Sequence, residues 1–207
     1  MVATDPAAPR ARMIHYSGYL REARDFYATP TWVTERLLDH VRLRGAVWEP
    51  CCGDGAMARV LQARGYQVVA SDIADRGFGA PGMDFLAAKA FPAGCEAMVT
   101  NPPYGEGDVT AGKPRSSAAM QRFLRHALAL TAAADGQLAL LVRLQWIAGQ
   151  RAAAIMSAAP FAKVVVLRDR ITWFDRGAET KRAQHHHAWV VFDHHHKPGT
   201  PPAMLYG

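Results

Sequence analysis

The sharpest chemical signal in the sequence is Asn101-Pro102-Pro103-Tyr104, which closes an apolar run at residues 96–100. The Asn101 carboxamide oxygen and the Pro102 carbonyl are two acceptors on a backbone that two prolines stiffen. Together they can take the two N–H bonds of an amino group conjugated to a flat ring. Such bonds bias the nitrogen toward tetrahedral geometry and aim its lone pair at an electrophile. Tyr104 offers a face on which the ring can stack. Asn-Pro and Pro-Pro also make ordinary turns, so the weight of the signal comes from what surrounds it.

Three further turns surround it. Glu49-Pro50-Cys51-Cys52-Gly53-Asp54-Gly55 follows a short apolar run at 46–48. Two glycines one residue apart let the backbone turn sharply and let a ligand approach without meeting a Cβ. A tight strand-to-helix connection would use the same residues. The spacing is not that of a dinucleotide-binding fingerprint, so a pyrophosphate ligand is disfavoured. Asp72 ends the next apolar run and can accept hydrogen bonds from ribose hydroxyls. Asp84-Phe85 sets a carboxylate, suited to an exocyclic amine, beside an apolar wall; Asp84 is equally suited to cap a short helix.

The intervening segments must position these turns. Thr31 is placed to N-cap a helix carrying Val33, Leu37, Leu38 and Val41 on one face, with Gly45 as its stop. Strands are predicted at 46–48, 67–71, 96–100, 137–142, 163–167 and 188–192. Helices are predicted at 56–64 (closed by Gly65), 117–134 (Met120, Phe123, Leu124, Ala127 and Leu128 on one face) and 146–158 (stopped by Pro160). Residues 74–82 and 105–117 read as Gly-rich loops. Residues 1–12 and the His- and Pro-rich 194–207 read as loose tails around one domain at 13–193. Strands alternating with helices argue for an open, mostly parallel α/β sheet. In such a sheet ligands bind at the carboxyl ends of the strands, near the reversal of strand order.

The series Glu-Pro-x-Cys-x-x-Gly, then Asp, then Asp-Phe-Leu, then Asn-Pro-Pro-Tyr resembles that of S-adenosylmethionine-dependent amino-methyltransferases. It is most similar to the N6-adenine DNA methyltransferases whose cofactor motifs precede the catalytic one. Phe26-Tyr27-Ala28-Thr29-Pro30 resembles that family's upstream motif. The likeness covers about residues 26–192. It implies a single Rossmann-like class I methyltransferase domain, its sheet ending in an antiparallel strand, with S-adenosyl-L-methionine as cofactor. Thr29, Glu49, Cys51 and Gly53 would line the methionine part of that cofactor, and Asp72 would bind its ribose. Ile73 would pack on its adenine, which Asp84 and Phe85 would read. Asn101, Pro102, Pro103 and Tyr104 would hold a target adenine flipped out of DNA. The family places an aromatic after the sixth strand against the flipped base, which here falls on Trp173 or Phe174; ordinary core packing is their other reading. Members with tight sequence choice carry a sizeable recognition domain, which has no counterpart here, so a separate specificity partner is implied.

Composition is consistent with that picture. The chain has 207 residues, half of them apolar, which excludes global disorder. Lys and Arg number 24 against 18 Asp and Glu, a net charge of +6 that suits a polyanionic partner. Arg168, Arg170, Arg176, Lys181 and Arg182 crowd one segment, and Lys113 and Arg115 sit in the loop after the Asn-Pro-Pro-Tyr turn. Either run can be a solvated loop; beside a base pocket, phosphate contact is the better reading. Three cysteines, two of them adjacent, make neither a disulfide scaffold nor a zinc motif. Cys51 and Cys52 read as packing residues. The triplets at 185–187 and 194–196 cannot aim three imidazoles at one ion from a strand, so no metal is expected. With no run of about 20 apolar residues and no signal-like N-terminus, no membrane contact and a cytoplasmic setting are expected. The rival readings are a methyltransferase acting on RNA bases or a protein glutamine amide, and a silent nucleic-acid-binding module.

Overall fold

The computed structural model describes residues 27–103, 118–158, 160–173 and 185–207. Expectations for residues 1–12, Phe26, Tyr104, Lys113, Arg115, Phe174, Arg176, Lys181 and Arg182 lie outside them.

The chain runs α1 (Thr31–His40), β1 (Ala46–Glu49), α2 (Ala56–Ala63), β2 (Val68–Asp72), β3 (Ala80–Pro81), a single 3-10 turn (Phe85–Ala87) and β4 (Cys95–Thr100). It continues through α3 (Ala118–Ala133), β5 (Gln137–Arg143), α4 (Leu144–Ile147), α5 (Gln150–Ala158), β6 (Phe161–Val166), β7 (His187–Asp193) and β8 (Ala203–Tyr206). The strands form one sheet in the order β3-β2-β1-β4-β5-β7-β6-β8. β7 runs antiparallel to both of its neighbours, and the other pairings are parallel.

Strands buried on both faces read as unbroken apolar runs, and β5 and β7 do so. Ala139, Leu141, Trp189 and Val191 face α1 and α2, packing with Val33, Leu37, Met57 and Leu61. Leu138, Leu140, Val142, Val190 and Phe192 face α3, α4 and α5, packing with Phe123, Leu124, Trp146 and Ile155. The fully buried Trp189 fixes α1 to the sheet: its Nε1 donates to the Val33 carbonyl at 2.8 Å.

Several predicted boundaries move. Thr31 is the first helical residue; Pro30 stands at the N-cap, with no side-chain bond there. α1 stops at His40, where Val41 turns to extended backbone and carries its side chain, with that of Leu43, into the core. The predicted helix over 146–158 is two, α4 and α5, parted around Gly149. The largest change concerns the predicted C-terminal tail, because Ala203–Tyr206 form β8. The exposed edge of β6 offers unpaired N–H and C=O groups, and residues 203–206 pair with residues 163–166. Leu205 packs against the α1-side core, and Gly207 N–H bonds the Val166 carbonyl at 3.0 Å. The antiparallel strand therefore exists as β7 but is followed by another parallel one.

Replacing Trp189 by Phe removes the bond to Val33 and part of a buried ring. Urea unfolding should show a loss of about 2–4 kcal/mol, with the denaturant slope unchanged.

Candidate functional site

Strand order reverses between β1 and β4, which are neighbours in the sheet although β2 and β3 intervene in sequence. Their carboxyl ends therefore flank a crevice left by chains departing in opposite directions. Glu49 ends β1, Asp72 ends β2 and Thr100 ends β4, with Asn101 next in the chain. Arg143 ends β5, and His187 begins β7 at the same edge because β7 runs in reverse.

Asp72 shapes the turn after β1. One of its oxygens accepts from Gly53 N–H at 2.9 Å, and the other accepts from Ala74 N–H at 2.8 Å. Gly53 and Gly55 both take left-handed backbone, with φ of 54° and 83°. The expectation that both glycines clear a path for ligand needs correction at Gly55. A Cβ there would lie 2.4 Å from the Phe78 ring, and the Arg59 guanidinium sits 4.7 Å from the centre of that ring. Gly55 thus admits a side chain of the 74–82 loop, leaving Gly53 as the glycine on the Asp72 side.

Glu49 is 1% exposed. Desolvation pushes its carboxyl well above the ordinary range, Asp54 and Asp72 add to the effect, and the Ala58 backbone amide offsets part of it. Burial also raises both neighbouring thiols, that of Cys52 to about 12. A thiol held in its protonated form is a poor nucleophile, so the pair has the character of packing residues.

At the end of β4 the Asn101 carboxamide is oriented by one bond. Its Nδ2 donates to Thr29 Oγ1 at 3.1 Å, and Thr29 is itself buried, just ahead of α1. Asn101 Oδ1 is buried and has no partner among the described residues. Pro102 is buried and Pro103 exposed. Asp84 accepts from Leu86 N–H at 2.9 Å as the cap of the 3-10 turn, while remaining exposed. The Phe85 ring is 6% exposed and stacks 4.3 Å from Phe123, beside Trp48. Ile73 is 56% exposed next to Asp72, an apolar surface open to a planar group.

Trp173 is half-buried, its ring 6.1 Å from Tyr27 and 5.4 Å from His187, edge to face with the latter. Tyr27 lies two residues before Thr29, so this aromatic group and the Asn101 turn share the α1 segment. Arg170 Nε donates to His186 at 3.0 Å, beside the same group. Arg168 instead leans on Tyr206 of β8, 5.6 Å from that ring's centre. Three strand spacings separate β6 from β4, roughly 14 Å, so Arg168 marks the outer end of the edge. Sequence reasoning missed Tyr27 and His187 as members of this cluster. The sequence showed of His187 only its place at the head of an apolar strand, masked by the two histidines before it; that it stands opposite Arg143 is given by the strand pairing. Among the described residues no cluster of three or more His, Cys, Asp or Glu is arranged to hold a metal, and no helix is long and apolar enough to cross a membrane.

No family model matches this chain, and no curated protein does. Solved structures do share its fold. One is a protein from Listeria monocytogenes assigned as a class I S-adenosylmethionine-dependent methyltransferase, at 15% identity and a TM-score of 0.54 over 86% of this chain. A second, from Vibrio vulnificus, is assigned as a modification subunit of a type I restriction enzyme, at 15% identity and 0.54 over 87%. A third, from Pyrococcus horikoshii, is assigned as an RNA methyltransferase, at 12% identity and 0.51 over 79%. This chain spans 62%, 47% and 81% of their respective lengths. The fold is therefore the Rossmann-like one of class I methyltransferases.

His187 yields a pH prediction. Burial, reinforced by Arg143, lowers its imidazole to about 4 from 6.5. A depressed folded value means that the native state refuses a proton which the unfolded state accepts. The stabilisation is therefore complete above about pH 6.5 and drains away as pH falls toward 4, on the order of 3 kcal/mol in all. Denaturant melts of His187→Phe across that window should show a visibly shallower acid slope than the wild type.

Proposed function

We propose that the chain transfers a methyl group from S-adenosyl-L-methionine to the N6 amino group of adenine in DNA, the base being flipped into the pocket at Asn101. One observation carries the reading: a buried carboxamide oxygen, oriented by Thr29, stands without a partner at the end of β4, beside the strand-order reversal. Leaving a buried acceptor unpaired costs about 1–3 kcal/mol, a cost recovered when a ligand N–H arrives. An amino group offers two such donors, and the Pro102 carbonyl is the second acceptor.

The residues present also fit the cofactor. Glu49 supplies a buried carboxyl with an unpaired oxygen, Asp72 a carboxylate at the end of β2, and Ile73 an exposed apolar face. The cofactor, when bound, supplies a methyl group already activated on a sulfonium. The protein then has to position more than to exchange protons. Asn101 orients the target nitrogen, Thr29 holds Asn101, and stacking on the base is assigned to Tyr104 and to either Trp173 or Phe174. Stacking worth roughly 1–3 kcal/mol per base repays much of the flipping. Arg170, Arg168, Lys113 and Arg115 are assigned to phosphates.

DNA is favoured because a protein assigned as a restriction-enzyme modification subunit shares the fold. This chain spans under half of that subunit, and a separate specificity partner would supply the sequence choice. An RNA base is the second reading, since an assigned RNA methyltransferase shares the fold as well.

Incubation with methyl-labelled S-adenosylmethionine and separate DNA, RNA and protein pools, followed by mass identification, should find N6-methyladenine in DNA. Label confined to RNA or to glutamine would replace the substrate. Asn101→Ala should cut turnover by more than about 100-fold, as expected for a positioned transition-state contact, with cofactor affinity nearly unchanged. Thr29→Val, which leaves the carboxamide free to rotate, should cost roughly 10-fold; wild-type turnover in that variant would remove Thr29 from the site.

A further inference from the structure

The Glu49 carboxyl, one of the groups that fit the cofactor, is also a titratable acid in a costly setting. It is 1% exposed at the carboxyl end of β1, and its Oε2 has no hydrogen-bond partner among the described residues. Among the described residues the side chains whose charge acts on it, Asp54 on the turn and Asp72 at the end of β2, are both acids and both oppose its ionisation, and the thiols of Cys51 and Cys52 adjoin it. An isolated carboxylate in that setting is expensive, and such a group escapes the cost by holding a proton. A cation brought against the free oxygen reverses the balance, because opposite charge favours the ionised acid and a charge-assisted bond satisfies the orphaned atom.

We propose that Glu49 is a neutral carboxylic acid while the site is empty, and that seating a ligand's ammonium group against it expels the proton to solvent, so that cofactor binding is coupled to proton release. The O–H bond of the carboxylic acid breaks, buffer accepts the proton, and an ammonium–carboxylate pair replaces it. This rests on the cofactor reading above. The ligand class it specifies is an adenosine carrying an amino-acid ammonium, as distinct from adenosine alone. Affinity for the charged ligand then rises with pH until Glu49 would ionise unaided.

Calorimetric titration of the full chain with S-adenosylhomocysteine, at one pH near 6.5 in buffers of different ionisation enthalpy, counts the protons. The wild type should release up to one proton per ligand. Glu49→Gln should abolish the release and weaken binding roughly 10- to 100-fold, the worth of one charge-assisted hydrogen bond. 5′-Methylthioadenosine, which lacks the ammonium, should bind the wild type with no proton release. A bound wild type that releases no proton, or a Glu49→Gln variant that releases as many, overturns the inference and leaves the methyltransferase reading intact. Failure of both ligands to bind overturns both.

A second measurement needs no ligand. A folded-state carboxyl raised above its unfolded value contributes fully below about pH 4.5 and loses that contribution as pH rises. Glu49→Gln should therefore gain in melting temperature relative to the wild type between pH 5 and pH 8. A constant difference across that range overturns the proposed protonation state.

Discussion

One hydrogen bond, from the Asn101 carboxamide to the Thr29 hydroxyl, joins parts of the chain 72 residues apart. Much of the site geometry depends on it. Thr29 is placed by α1, and α1 is placed by the bond from Trp189 to Val33 and by the apolar contacts of Val33 and Leu37 with the sheet. Asn101 is placed by β4, whose register with β1 and β5 is fixed by parallel pairing on both sides. The bond closes a loop of constraints through the core. It also breaks the symmetry of the carboxamide, since the nitrogen that faces Thr29 commits the oxygen to the other side. A side chain that is free to rotate would offer the crevice a donor and an acceptor in turn. Pinned in this way, Asn101 offers an acceptor.

Two of the buried acceptors at that edge, Asn101 Oδ1 and Glu49 Oε2, differ in kind. Asn101 Oδ1 is neutral, so leaving it unpaired costs only the desolvation of an amide oxygen. Glu49 can carry a charge, and an unpaired buried charge costs several times more. The native state has two ways to lower that cost, a proton or a counter-ion, and Asp54 and Asp72 act against ionisation. The turn that holds these groups is stiff. Asp72 bonds both the glycine turn and the residue beyond β2, and the Phe78 ring fills the space where a Gly55 side chain would be. Local stability and ligand chemistry therefore use the same carboxylate. Loss of Asp72 would loosen the turn as well as remove an acceptor.

The sequence made much of this legible, for physical reasons that can be named. β5 and β7 announce themselves as apolar runs because both of their faces are covered. The turns at 49–55 and 101–104 stand out because glycine and proline impose backbone shapes that ordinary residues avoid. β8 was hidden because pairing to an edge is a tertiary event: Ala203–Tyr206 is too short to declare itself, and it follows a His- and Pro-rich stretch. The packing of Phe85 against Trp48 and Phe123 was not legible, because an aromatic beside an acid reads the same whether it walls a pocket or fills a core. The partnership of Tyr27, Trp173 and His187 joins residues 160 positions apart, which no local pattern reveals.

The carboxyl edge of the sheet is also divided by charge. At the ends of β1 and β2 stand the acids Glu49 and Asp72, with Asp54 on the intervening turn and the exposed Asp84 beyond; Arg59 of α2 reaches the Asp54 carbonyl from outside. Among the described residues over β5, β6 and β7 the bases Arg143, Arg168, Arg170 and the histidines at 185–187 outnumber one acid, Asp169. Asn101, uncharged, lies between the two groups at the end of β4. Low-dielectric walls strengthen such fields locally. Under the proposed function the two halves suit the two reactants, a cation on the acidic side and a polyanion on the basic side. The neutral carboxamide stands where they meet. A charged group in that position would favour one reactant over the other, whereas the transfer needs both close together and their reacting atoms aligned. An uncharged carboxamide at the end of β4 meets that need, because it can accept from the target without drawing either reactant's charge to itself.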